Sequence, residues 1–216
     1  MHWIDPDSLP AVTGVFERFV LNPHGEVDGF VMRQGDEDVL VHTPPHMETE
    51  LTRNIKAGDK IGVHAVRPRG AALLAAVAVT AANGRQIVDH GPDDSREHPE
   101  HDHHKMDAEG TVRLSLFGPK GELRGALLTN GTVVRIGPKE ATEIAELLTP
   151  GATLAVRGDG IETGFGCVIH AREAGPSLKA LAPLKHGKPG PKDGPKHGPK
   201  HGPKHKHGPK HDHAHA

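Results

Sequence analysis

The sequence is poor in aromatic, apolar and cysteine residues. Its 216 residues include no tyrosine, one tryptophan (Trp3) and one cysteine (Cys167). A single cysteine excludes an internal disulfide framework and is typical of a reducing compartment. The apolar fraction is 35%, and there are 27 glycines and 19 prolines. This composition predicts that a long part of the chain does not pack into a core.

Long hydrophobic runs are also missing. The most apolar stretch, residues 71–79, is far shorter than the roughly 20 residues that span a membrane. The first residues, Met-His-Trp-Ile-Asp-Pro-Asp, contain neither the basic nor the apolar region of a signal peptide. We therefore expect a cytoplasmic protein with no membrane partner.

Motifs of the common enzyme classes are absent from the sequence. There is no H-E-x-x-H, no G-x-S-x-G and no dinucleotide-type G-x-G-x-x-G between a strand and a helix. Cys167 and His170 lie three apart on a predicted strand, so their side chains point to opposite faces and cannot form a nucleophile–base pair. We expect no catalytic residues and no enzyme activity.

The chain contains an internal duplication. The segment NPHGEVDGFVM from Asn22 matches GPKGELRGALL from Gly118 at an offset of 96, which becomes 93 after a three-residue insertion near Asp36. The matched positions include Pro23/Pro119, Gly25/Gly121, Glu26/Glu122, Gly29/Gly125, Pro45/Pro138 and Gly58/Gly151. Glycines and prolines in the same order in both halves indicate two copies of one folding unit.

Each copy shows the same pattern of secondary structure. Period-two alternation and Pro/Gly turns predict five strands, with a short helix between the third and the fourth. The predicted strands are 12–21, 27–33, 39–42, 60–66 and 72–80 in copy one, and 112–117, 123–129, 133–136, 153–157 and 166–172 in copy two. This order predicts a mainly β protein made of two tandem OB-like five-stranded barrels.

A family resemblance supports this fold. The motif GVFERFVLNPHGEVDGFVM…VLVHTPPHM…IKAGDKIGVHAV resembles bacterial OB-fold proteins of the nucleic-acid-binding type. The resemblance covers residues 11–80 and 109–175, and it implies nucleic-acid binding without catalytic residues. Copy two departs from the motif, because it has Arg135 and Lys139 where copy one has His42 and His46.

The composition divides the chain into four parts. We predict an OB-like domain at 1–88, an acidic His-rich linker at 89–108, a second OB-like domain at 109–178 and a disordered tail at 179–216. The tail repeats Gly-Pro-Lys-His four times and is basic, although the whole chain has a formal net charge of −2.

Histidines are concentrated in the tail and in the linker. Neutral imidazole binds nickel, zinc and cobalt, and clustering raises the effective ligand concentration. The predicted metal ligands are His197, His201, His205, His207, His211, His213 and His215 in the tail, and His101, His103 and His104 in the linker. The tail resembles, in composition, the His-rich extensions of nickel metallochaperones. We therefore expect labile binding of divalent transition metal, for buffering, sensing or delivery.

Other interpretations of the chain stay open. The tail is also compatible with an engineered tag or with a solvated basic segment that acts through lysine. The barrels are compatible with single-stranded nucleic-acid binding, and the candidate residues are Phe19, Phe30, Arg33, His42, Arg113, Arg124 and Arg135. Alternatively, Phe19 and Phe30 are core residues and the arginines are solvated. A scaffold that binds another protein is a further possibility.

Overall fold

The computed structural model describes residues 5–91 and 100–185, which form two closed β-barrels. The seven predicted metal ligands of the tail lie outside the described residues. Within these two ranges, no helix is long and apolar enough to cross a membrane.

Barrel one is built from the first half of the chain. Its elements are β1 (Ala11–Leu21), β2 (Val27–Gln34), β3 (Glu37–His42), α1 (Glu48–Asn54), β4 (Lys60–Val66) and β5 (Leu73–Thr80). The strands lie in the order β3-β2-β1-β4-β5, and a parallel pairing of β3 with β5 closes the barrel. A short strand, β6 (Gln86–Val88), adds to β5.

Barrel two repeats this arrangement. Its elements are β7 (His104–Phe117), β8 (Leu123–Leu128), β9 (Val133–Arg135), α2 (Pro138–Glu143), β10 (Thr153–Thr163), β11 (Gly166–Gly175) and β12 (Ala182–Pro183). The five main strands lie in the order β10-β7-β8-β9-β11, and the pairing of β10 with β11 closes the barrel. The predicted fold of two five-stranded OB-like barrels is confirmed.

The second copy differs from its prediction at the ends of its strands. The β10–β11 hairpin extends beyond the predicted strand ends, and the start of β7 pairs with it, with His104 opposite Gly160. The strand therefore begins inside the segment predicted as an irregular linker. The predicted helix of copy two is also interrupted, because Ile144 leaves the α-helical region (φ −114°) before a 3-10 turn at Ala145–Leu148.

The repeated pair Gly29/Gly125 has a steric cause. A Cβ atom at Gly29 would lie 2.5 Å from the carbonyl oxygen of Val41, and one at Gly125 would lie 1.9 Å from that of Val134. Gly125 also has a φ of +140°, which side-chain-bearing residues rarely adopt. The second and third strands of each barrel approach so closely at this point that only glycine fits.

Candidate nucleic-acid interface

The two aromatic residues predicted as a stacking platform lie in the core of barrel one. Phe19 is 8% exposed and Phe30 is fully buried. Strict period-two alternation would place Phe16 and Phe19 on opposite faces of β1, but a bulge between Phe16 and Arg18 shifts the register. The rings of Phe16 and Phe19 are therefore both buried, and their centroids lie 4.7 Å apart. Phe19 and Phe30 thus fit the core interpretation and present no platform for bases.

The outer faces of the second strands are also covered, because the barrels pack against each other. Apolar side chains of barrel two belong to the same buried cluster as the core of barrel one; they are Leu116, Leu127, Val133, Ile161 and Val168. Their neighbours Ala126, Leu128, Val134 and Ile169 fill the core of barrel two. Alternate residues of these strands thus pack either into the core of barrel two or against barrel one. The sheet face with which OB folds bind oligonucleotides is buried between the barrels.

Ion pairs across this interface occupy the arginine of β7. Arg113 donates hydrogen bonds to both carboxylate oxygens of Glu17 (2.5 and 2.6 Å) and of Asp38 (2.7 and 2.9 Å). These bonds hold the pKa of Glu17 and that of Asp38 below their usual values. Arg33 lies beside them, 3.5 Å from Glu17 and 3.7 Å from Asp38. Both arginines are thus neutralised by carboxylates.

Glu17 and Arg113 occupy equivalent positions in the two copies, at the offset of 96. Identical copies would place like charges together here, whereas the diverged copies place a carboxylate against a guanidinium. The same divergence recurs at Asp28 and Arg124. The tandem arrangement therefore makes the interface electrostatically complementary.

A cavity of about 220 Å³, the central pocket, opens between the two copies. It is lined by Pro23, Asp28, His42, Gly118, Pro119, Arg124, Arg135 and Ile136. Three pairs of these residues are repeat equivalents: Pro23/Pro119, Asp28/Arg124 and His42/Arg135. Copy one supplies the carboxylate and the imidazole, and copy two supplies the two guanidinium groups.

The polar groups of the central pocket are partly satisfied by one another. Arg135 is buried and donates to Asp28 Oδ1 (2.5 Å) and to the carbonyl oxygen of Leu21 (2.7 Å). Burial raises the pKa of Asp28 against the opposing effect of Arg135, and burial lowers the pKa of His42. Arg124 is more exposed and donates to Glu122.

Three exposed cations that no sequence motif indicated lie in two loops, one of which, the β7–β8 turn, also lines this pocket. Arg67 and Arg69 are in the β4–β5 loop of barrel one, and Lys120 is in the β7–β8 turn of barrel two. The loops meet, since a Cβ atom at Gly121 would lie 3.3 Å from the carbonyl oxygen of Arg69. Arg67, Arg69 and Lys120, here called the basic loop surface, have no ion-pair partner among residues 5–91 and 100–185. The sequence did contain a signal for these residues, because they lie in the loops with which OB folds bind oligonucleotides.

The opposite loop junction has a different chemistry. There the β1–β2 turn of barrel one meets the second copy, and a Cβ atom at Gly25 would lie 2.8 Å from the His101 ring and 3.0 Å from Ile161. His24 in this turn and Glu162 near the end of β10 add no lysine or arginine. Among the described residues, the cationic loops are thus found at one junction and not at its counterpart.

The predicted metal ligands of the linker are only partly brought together. His103 and His104 are exposed, whereas His101 packs on the β1–β2 turn. In the part of the chain that the structure describes, no three histidine, cysteine or acidic residues are grouped as a metal site would need.

Comparisons with known proteins give no family for this chain. No family model matches it, and no curated protein sequence matches it. Among solved structures, the chain is similar to a deletion mutant of the single-stranded DNA binding protein from Thermus aquaticus. The TM-score is 0.26 and the identity is 13%, over 80% of this chain and 95% of that chain. The assignment of two OB-like barrels rests on the strand order and closure described above.

Proposed function

We propose that this protein is a non-enzymatic binder of single-stranded nucleic acid, and that the basic loop surface contacts the phosphates. The observation that carries this proposal is the meeting of two OB loops that hold Arg67, Arg69 and Lys120, three exposed cations without carboxylate partners in the described ranges. Exposed lysine and arginine side chains without carboxylate partners are the groups that release counterions from a phosphate backbone.

The arginines between the barrels already have carboxylate partners, and for this reason we do not expect the barrel faces to bind phosphates. Arg113 already pairs with two carboxylates, and Arg135 pairs with Asp28. A phosphate at either position would have to displace a close ion pair. With Phe19 and Phe30 in the core, base stacking on these rings does not contribute to binding. We therefore expect the affinity of the basic loop surface to depend mainly on the phosphate backbone and to tolerate changes of nucleotide sequence.

Charge reversal of the basic loop surface tests the proposal. In the full chain, the triple substitution Arg67→Glu, Arg69→Glu and Lys120→Glu is expected to weaken binding of a fluorescent single-stranded oligonucleotide at least about tenfold near 0.1 M salt, because three phosphate contacts are lost. Fluorescence anisotropy measures the change.

A matched control distinguishes the effect of this site on affinity from the effects of net charge and of the tail lysines. Arg53, Lys56 and Lys60 are also exposed and without an ion-pair partner among the described residues, and they lie around the α1–β4 turn. Reversing these three charges is expected to weaken binding less than about threefold, the effect of net charge alone. An equal loss in both variants, or no binding by the unchanged protein, would contradict the proposal.

Metal binding by the histidine-rich tail stays a second proposal, and it is favoured by the placing of eight of 19 histidines between positions 186 and 216. We expect calorimetric titration with Ni²⁺ to give several weak sites for the full chain. Replacing the seven predicted tail histidines with alanine is expected to remove most of them. Equal stoichiometry before and after replacement would exclude the tail as the ligand.

A further inference from the structure

The central pocket and the basic loop surface share the β7–β8 turn. Gly118 and Pro119 line the pocket, and Lys120 and Gly121 follow them in the same turn, against the β4–β5 loop. A single-stranded nucleic acid whose phosphates cross the basic loop surface would therefore pass close to the pocket.

We propose that the central pocket binds one guanine base of that strand, an inference that rests on the function proposed above. The base leaves its stacked position and enters between the two copies. Its edge then meets Asp28 and Arg135.

The size of the pocket suits a single base. Its volume of about 220 Å³ is well above the roughly 10–15 Å³ that a cavity needs to hold one water molecule. It is also smaller than the roughly 300–1,000 Å³ typical of sites for drug-sized ligands. A base fits this range, whereas its ribose and phosphate remain outside, near the exposed cations.

The lining provides both apolar walls and polar groups. Pro23, Pro119 and Ile136 supply the apolar lining, and extruded bases are commonly held between apolar or aromatic side chains while their edges are read by hydrogen bonds. This combination of rings and charged groups differs from a simple anion site. An anion site would not need three apolar side chains.

The unused polar atoms select the base. The hydrogen bonds of this pair to described residues use Asp28 Oδ1 and the Nε and Nη2 atoms of Arg135, so Asp28 Oδ2 and Arg135 Nη1 are the atoms left to meet a ligand. A carboxylate only accepts hydrogen bonds, and a guanidinium only donates them. Guanine presents the O6 acceptor beside its N1–H and N2–H donors, so it matches an adjacent guanidinium and carboxylate. Adenine presents its N6 donor beside an acceptor and leaves the carboxylate only one partner.

Titration of the isotope-labelled full chain with GMP, AMP and ribose 5-phosphate tests the proposal by nuclear magnetic resonance. GMP is expected to shift the amide signals of His42, Gly118 and Arg135, and to bind at least about tenfold more tightly than AMP, as expected for one paired hydrogen-bonding edge. Ribose 5-phosphate is expected to leave these signals unchanged. Asp28→Asn is expected to abolish the preference for GMP.

Several outcomes would overturn the proposal. Equal binding of GMP and AMP would exclude reading by Asp28, and shifts produced by ribose 5-phosphate alone would show a phosphate site. The preference of the unchanged protein decides the matter even if Asp28→Asn does not fold. If oligonucleotides bind through the basic loop surface while GMP does not enter the pocket, this inference fails and the proposed function stands. If GMP enters but no oligonucleotide binds, the proposed function fails instead.

Discussion

Replacing Gly125 with alanine is expected to lower the free energy of unfolding by at least about 4 kcal/mol, among the largest effects of single substitutions. The new methyl group would lie 1.9 Å from the carbonyl oxygen of Val134, and the residue would keep a φ of +140°. Both the contact and the backbone angle are unfavourable for alanine, and the clashing atom belongs to the backbone of β9, which cannot rotate away. Denaturant unfolding followed by circular dichroism measures the loss.

Gly110→Ala is the matched control for this prediction. Gly110 also lies in a strand of barrel two, but a methyl group there would make an ordinary contact with Leu128 at 3.5 Å. Its φ is not in the left-handed region. We expect this variant to be unchanged or to gain about 0.4–1 kcal/mol, because alanine restricts the unfolded chain. Similar stability of the two variants would contradict the close strand approach at Gly125.

Arg135→Ala is expected to cost about 3–5 kcal/mol of stability, because it leaves a buried partner charge uncompensated. The side chain is buried and links three elements, since it donates to Asp28 Oδ1 of β2 and to the Leu21 carbonyl oxygen of β1 from its own position in β9. Its removal takes these donors away from a buried carboxylate and from a carbonyl oxygen. The midpoint of thermal unfolding of the full chain is the measurement.

Two further variants show whether the pairing itself is responsible. Adding Asp28→Ala to Arg135→Ala is expected to restore part of the lost stability, because the unpaired carboxylate is then absent. Arg124 lines the same pocket, but its side chain is 42% exposed and pairs with nearby Glu122. Arg124→Ala is therefore expected to cost no more than about 1 kcal/mol. Comparable losses for the Arg124 and Arg135 variants would contradict the difference between the two ion pairs.

Much of the fold could be predicted from the sequence because it depends on local signals. Alternation in the fourth strand predicted residues 60–66, and the structure has β4 at Lys60–Val66. Pro-x-Gly turns and the duplication indicated five strands in each copy, with the helix between the third and the fourth. The bulge after Phe16 was not predictable in this way, because an inserted residue leaves no mark on an alternating pattern until the partner strand is known.

The candidate site was harder to predict because it depends on how the two copies meet. Residues on the outer face of β8, such as Leu127, were assigned to no partner, although an apolar run of Ala-Leu-Leu is typical of a strand buried on both faces. A second signal was the opposite charge at the equivalent positions Glu17 and Arg113. Read together, these features predict that the copies pack face to face.

The salt dependence of oligonucleotide binding is the most direct test of the central claim, that phosphates bind at the basic loop surface. The slope of log affinity against log salt should be shallower by about two in the variant with Arg67, Arg69 and Lys120 reversed than in the unchanged full chain, since each phosphate contact contributes about 0.7. The slope should change much less when Arg53, Lys56 and Lys60 are reversed, because only the net charge is altered. Identical slopes for all three proteins would contradict the account.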